Sequence, residues 1–201
     1  MPKQALKLDT PHGLAHADVE APAKASAALL LGHGAGGGTG AADLQAAKGA
    51  ALEAGFAVAL VEQPYRVAGR RSPAPAGQLD TAWLAVVEQL RAKPLAGLDL
   101  IFGGRSSGAR VACRTAGEGG AVAVLCLAFP VHPPGRPEKS RLSELDAVTV
   151  PTLVVQGERD PFGMPPPAPP RREVVRVAGD HSLRSTAAVR AAVAAWLEST
   201  F

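Results

Sequence analysis

The chain has 201 residues, a formal net charge of +3 and a pI near 9.1, with 47% apolar and only 4% aromatic residues. That length and apolar content fit one domain with a full core and exclude a disordered chain. The scarcity of aromatics and the absence of a lysine or arginine block exclude a stacking or phosphate-tracking surface for nucleic acid.

The opening stretch MPKQALKLDT lacks the apolar core of a signal peptide, and the longest apolar run, residues 121–129, is too short to span a bilayer. A cytoplasmic protein with no membrane partner is expected. Residues 1–25 read as an N-terminal arm in which 4–8 and 14–20 can pair as a short hairpin across Pro11, His12 and Gly13. His12 and His16 have no third ligand close in sequence, so no metal is expected.

Residues 26–31 form a compact apolar strand, followed by the loop GHGAGGG and a helical pattern over 41–54 that stops at Gly55. The loop lacks the Lys-Ser/Thr ending of a phosphate-binding loop. Gly32, Gly34 and Gly37 match dinucleotide spacing, but Glu62 is the only acid available for a ribose and nothing else supports it, so no cofactor is expected. A strand over 56–61 and a loop over 63–77 precede a helix over 79–91, where Leu79, Trp83, Val86, Val87 and Leu90 make a core stripe.

The segment LDLIFGGRSSGAR, residues 98–110, is an apolar strand that breaks into a glycine turn and restarts as a helix over 106–117. Gly104, Ser106 and Gly108 fit the Gly-x-Ser-x-Gly frame of a nucleophile elbow. Residues 121–128 form a continuous apolar strand, as expected of a parallel strand covered on both faces. Residues 129–141 are a proline-broken loop. The strand 150–156 delivers Gly157, Glu158, Arg159 and Asp160 into the proline-rich stretch 161–170, which cannot be regular helix. A last strand over 173–177 leads through Gly179, Asp180, His181 and Ser182 to a closing helix over 183–197. Cys113 and Cys126 fall in a helix and a buried strand and read as reduced apolar residues. Strand and helix alternate throughout. That order calls for an α/β fold, a mainly parallel sheet with helices on both faces and ligands at the carboxyl ends of the strands.

A serine hydroxyl needs a base, and the base needs an acid to hold its tautomer. In an elbow hydrolase these follow the serine in the order acid, then histidine, each on a loop after a strand. Asp160 and His181 meet that description; Glu158, two residues from Asp160, is the rival acid, while Asp180 reads as a loop or helix-start residue. His33 lies in the glycine loop, where it would hold that loop in place, and His132 is the weaker candidate base, able to border a pocket. For an oxyanion the donors are the backbone N–H of Ser107, after the nucleophile, and of Ala35, with Gly34 as alternative to the latter.

The stretches LLLGHGAGGG, GGRSSGAR, GERD and GDHSL, with PYR, GRR and FPVHPPGRPEK, resemble a small α/β-hydrolase of the dienelactone-hydrolase-like branch that includes the testis-expressed and NSL-complex hydrolase-like proteins. The resemblance runs from about residue 26 to the C-terminus. It implies an α/β-hydrolase fold without a large cap and Ser106, Asp160 and His181 as catalytic triad. Some members of that branch act as interaction modules, and Ser107 and Ala109 replace the methionine and glycine of its pattern.

The leading expectation is a serine hydrolase acting on an ester, thioester or related acyl bond of a small soluble substrate, as a monomer or homodimer. The alternative is a non-catalytic binding module of the same fold. At the carboxyl edge Arg66, Arg70, Arg71, Arg105, Arg136, Lys139, Arg141 and Arg159 outnumber Glu138, Glu158, Asp160 and Asp180 by four. That excess suggests an anionic acyl substrate, met by Arg66 and Arg105 with His132 at the border.

Overall fold

The computed structural model describes residues 3–201 and contains one eight-stranded sheet in the order β1-β2-β4-β3-β5-β6-β7-β8. The strands are β1 (Lys3–Thr10), β2 (Gly13–Glu20), β3 (Ala27–Gly32), β4 (Ala57–Glu62), β5 (Asp99–Arg105), β6 (Ala123–Leu127), β7 (Thr152–Gly157) and β8 (Arg172–Val177). From β3 to β8 every pairing is parallel. The hairpin β1-β2 is longer than expected and joins the sheet, β2 running antiparallel to β4. Its alternation is real but carried by small side chains: Ala15, Ala17 and Val19 point into the core while their neighbours are partly exposed.

The helices are α1 (Ala42–Glu53), α2 (Pro64–Val67), α3 (Ala76–Ala92), α4 (Ser107–Thr115), α5 (Leu142–Asp146) and α6 (Thr186–Thr200). The central strands bury both faces, so each feeds two cores. On β3, Leu30 packs with Trp83 and Phe102 beneath α3 and α4, while Leu29 and Leu31 pack with Leu44 and Trp196 beneath α1 and α6. Cys113 and Cys126 are buried free thiols with their sulfurs 3.5 Å apart, in keeping with their apolar reading. On the helical face Arg110 and Arg114 of α4 share Glu144 of α5, and Arg114 also pairs with Asp80 of α3, which locks the three helices together.

Several boundaries differ from expectation. The stretch 63–77 contains the short α2, and α3 starts at Ala76 because Ala, Gly and Gln carry a helix without an apolar period. The closing helix begins at Thr186, not at 183: Leu183 is fully buried but sits in a turn with φ 45°. The chain crosses from β4 to β5 over β3, which makes β3 and β5 neighbours at the point where strand order reverses. The loops after those two strands therefore open side by side, the position where this sheet type binds ligands.

Candidate active site

Gly32 of β3 is level with Gly104 of β5, and Gly157 of β7 is level with Val177 of β8. The register thus sets the glycine loop beside the elbow, and the loop of Asp160 beside that of His181. Ser106 turns the chain from β5 into α4 with φ 52° and ψ −106°, a left-handed backbone that few non-glycine residues adopt. Its N–H donates to the carbonyl of Leu127 at 2.9 Å. The flanking glycines are sterically required. A Cβ on Gly104 would fall 2.6 Å from the carbonyl oxygen of Gly32, and one on Gly108 would overlap that same oxygen.

Ser106 Oγ is 2.9 Å from His181 Nε2, and His181 Nδ1 is 2.8 Å from Asp160 Oδ2. Because a carboxylate only accepts, the Nδ1–H donates to Asp160, which leaves Nε2 to accept from the serine hydroxyl. The Asp160 side chain is fully buried and that of His181 is 17% exposed. Three donors converge on the acid, since Phe162 N–H bonds Oδ1 at 2.8 Å and the Gln156 amide bonds Oδ2 at 2.8 Å, besides the imidazole. The ring of Phe162 stacks on His181 with centroids 4.1 Å apart. Glu158 is exposed and makes no hydrogen bond to His181 among the described residues; Asp180 is exposed and accepts from the N–H of Ser182.

The glycine loop is held from below. The N–H of Gln63 donates to His33 Nε2 at 3.1 Å, so Nδ1 carries the proton that bonds the carbonyl of Gly34 at 2.8 Å. Gly37 N–H bonds the same carbonyl at 3.2 Å. In a trans peptide the N–H lies opposite the C=O, so pinning the Gly34 carbonyl turns the N–H of Ala35 to the other side. Tyr65 fixes the next peptide by donating its hydroxyl to the Ala35 carbonyl at 2.8 Å. Ser107 opens α4, where an N–H has no acceptor within the helix.

His33 is buried, and desolvation lowers its pKa below the ordinary histidine range. The unfolded chain therefore takes up a proton first: stability present above about pH 6.5 is lost as pH falls toward the folded value. In His33→Asn, whose amide can still bond the Gly34 carbonyl, the fall in melting temperature between pH 7 and 5 is expected to be smaller than in the parent. Burial raises the pKa of Asp43 and acts in the opposite sense, but equally in both proteins. Equal pH slopes would remove this role from His33.

The residues expected to meet substrate fare differently. Arg105 is engaged within the protein, its Nε 2.8 Å from Asp43 Oδ2 and its Nη2 donating to the His181 carbonyl at 2.9 Å. The N–H of His132 donates to the Phe162 carbonyl and its ring lies against Gly163, which makes it a brace of the acid loop. Arg66 stands on α2, its Nη1 donating to the carbonyl of Arg70 and its Nε buried without a partner among the described residues. Asp43, Glu62 and, with α6 starting only at Thr186, Arg184 also lie at the carboxyl edge, so the expected excess of four positive charges falls to three. Sequence reasoning missed Asp43, Gln63, Tyr65, Gln156 and Phe162. Gln156 left a trace, as the one polar side chain near the end of the buried strand TLVVQG.

No large insertion covers these loops. The cavity that reaches Ser107, lined also by His33, Tyr65 and Trp83, holds about 10 Å³, too little for a substrate, so recognition falls to the open face. No group of metal-ligating side chains and no helix long and apolar enough to cross a membrane occurs among the described residues.

An elbow serine over a mostly parallel sheet, with histidine and acid on the later loops and no cap, defines the architecture of the lidless α/β serine hydrolases. The chain belongs to the alpha/beta hydrolase domain family, whose model matches residues 25–195. Its fold is similar to that of XC6422 from Xanthomonas campestris, described as an a/b serine hydrolase without lid, at 22% identity and TM-score 0.74 over 98% of this chain and 96% of that one. It is similar also to Est1E from Butyrivibrio proteoclasticus, at 18% identity and TM-score 0.77 over 98% of each chain. A dienelactone hydrolase from Anabaena variabilis matches at 19% identity and TM-score 0.75, over 100% of this chain and 96% of that one. No curated protein sequence matches the chain.

Proposed function

We propose that the chain is a serine hydrolase that cleaves an ester, thioester or related acyl bond of a small soluble substrate through an acyl-enzyme. The carrying observation is the unbroken chain from Ser106 Oγ through His181 to Asp160, at 2.9 and 2.8 Å, on a serine held at φ 52°. A binding module has no physical use for a strained serine hydrogen-bonded to a base that is itself bonded to a buried acid.

In this reading Ser106 Oγ attacks the acyl carbon as His181 Nε2 takes its proton, and Asp160 stabilises the imidazolium. The N–H groups of Ala35 and Ser107 receive the developing oxyanion. Collapse breaks the bond to the leaving alcohol or thiol, which takes the proton back from His181. Water, deprotonated by the same nitrogen, then attacks the acyl-serine and releases the carboxylic acid and free Ser106.

The preferred substrate carries a carboxylate or phosphate that Arg66 attracts, a reading supported by the positive excess of the carboxyl edge. The test compares a short neutral aryl ester with its carboxylate-bearing isostere at low and high salt. Both should be hydrolysed, the anionic one with kcat/KM about 3- to 10-fold higher at low salt. Salt and Arg66→Gln should each reduce that ratio. A ratio near one that responds to neither would remove Arg66 from recognition, and no turnover of either ester would count against the hydrolase reading.

A further inference from the structure

Arg105 immediately precedes the elbow serine, and its guanidinium touches three separate segments. Nε lies 2.8 Å from Oδ2 of Asp43, an ion pair in which the N–H is not aligned on the oxygen. Nη2 donates to the main-chain carbonyl of His181 at 2.9 Å. Nη1 stands over Gly34, where a Cβ would fall only 2.9 Å from it. One planar group, mounted on β5, therefore meets α1, the glycine loop and the histidine loop.

The partner acid is built for this contact. Asp43 is 1% exposed and sits in the first turn of α1, where helix N–H groups favour a negative charge, and its Oδ1 accepts from the N–H of Leu44 at 2.9 Å. Desolvation raises its pKa, and the guanidinium of Arg105 and the N–H of Leu44 oppose that rise. The pair in turn anchors the arginine, leaving Nη2 at a fixed place.

Asp160 fixes the imidazole at Nδ1, but the main chain of His181 needs its own support. The other hydrogen bonds around residues 179–183 join Gly179 to Arg159, Ser182 to Asp180 and Leu183 to Asp180. Of these, none reaches the strand that carries Ser106. The bond from Arg105 does.

We propose that Arg105 is a positioning residue: anchored on buried Asp43, it ties the main chain of His181 to β5 and so sets the distance between Ser106 and its base. The proposal rests on the serine hydrolase reading. It gives Arg105 a different task from contact with an anionic substrate, and the two tasks separate kinetically.

The decisive variant is Arg105→Lys. Lysine keeps the countercharge for Asp43, but its ammonium occupies the place of the guanidinium carbon and ends about 1.3 Å short of the His181 carbonyl. The expected result is a fall in kcat of roughly 10- to 100-fold, since errors of about an ångström in a reacting geometry have that effect. KM should change less than threefold and the melting temperature by only a few degrees. Labelling of Ser106 by a fluorophosphonate should slow by the same factor as kcat, and hydrogen exchange of the amides in 180–183 should quicken. Asp43→Asn, which releases the anchor, should show the same pattern, and the double variant should be little worse than either single one. A kcat within twofold of the parent in both single variants, or a raised KM with kcat unchanged, would overturn the proposal while leaving the hydrolase reading intact. A parent protein that fluorophosphonate does not label would overturn the hydrolase reading itself, and unchanged exchange of 180–183 in Arg105→Lys would then overturn the tie to β5 as well.

Discussion

Ser106→Ala and His181→Ala are each expected to lower kcat for a short acyl ester by a factor on the order of 10⁴ to 10⁶, and the double variant to be no worse than either. The two groups act in one proton transfer across 2.9 Å, so removing either ends it. Asp160→Asn should cost roughly one to two orders of magnitude less. Its effect has a particular cause here: the N–H of Phe162, the amide of Gln156 and Nδ1–H of His181 are all donors aimed at the two carboxylate oxygens. Asparagine has one oxygen. With that oxygen on the N–H of Phe162, both donors that met Oδ2 face the NH2 group, and turning the imidazole tautomer relieves one of them, which leaves Nε2 protonated and unable to accept from Ser106. Steady-state kinetics of the four variants checks this, and additive losses for Ser106→Ala and His181→Ala would contradict a shared role.

The other large effect belongs to a residue with no side chain. Gly108→Ala places a methyl onto the carbonyl of Gly32, with the Gly32 carbon at 2.5 Å and the His33 oxygen at 2.9 Å. All three are main-chain atoms at the crossing of β3 and α4, so no side chain can rotate away. Overpacking of this sort costs about 1–3 kcal/mol, which for a chain of this length lowers the melting temperature by roughly 2–12 °C. The relief available is a shift of the glycine loop away from α4, and with it the N–H of Ala35, so kcat should fall by about 100-fold or more. Gly117→Ala is the control, since nothing lies within 4 Å of the new methyl and no positive φ is needed there. A Gly108→Ala protein as stable and active as Gly117→Ala would show that the close approach of helix and strand is not required.

Much of this arrangement is legible in the amino-acid sequence. Strands buried on both faces are written as unbroken apolar runs, which is why β3, β5, β6 and β7 could be read and why their order led to loops at one edge. Ser106 announces itself through glycines whose absence of a Cβ is now seen to be needed. The hairpin was harder, because alternation carried by Ala15 and Ala17 is a weak contrast, and α5 hides behind a proline-broken loop. The protein contacts of Arg105 are hidden for a different reason. Its partner Asp43 lies far away in sequence and meets it only because β3 and β5 are neighbours, and its second partner is a main-chain carbonyl, which sequence pattern does not reveal. For His33 the sequence suggests a holder of the glycine loop, but the partners of that ring, the Gly34 carbonyl and the Gln63 N–H, are main-chain groups that it does not show. Pairwise contacts of this kind come from the register of the sheet.

The central claim is that Ser106 is an activated nucleophile, and covalent labelling tests it most directly. Incubation with a fluorophosphonate should add one phosphonyl group per chain, located by peptide mass on residue 106, at a rate that His181→Ala lowers by several orders of magnitude. Ser106→Ala should take up none. An unlabelled parent protein, or a label carried by another residue and unaffected by either substitution, would contradict the account.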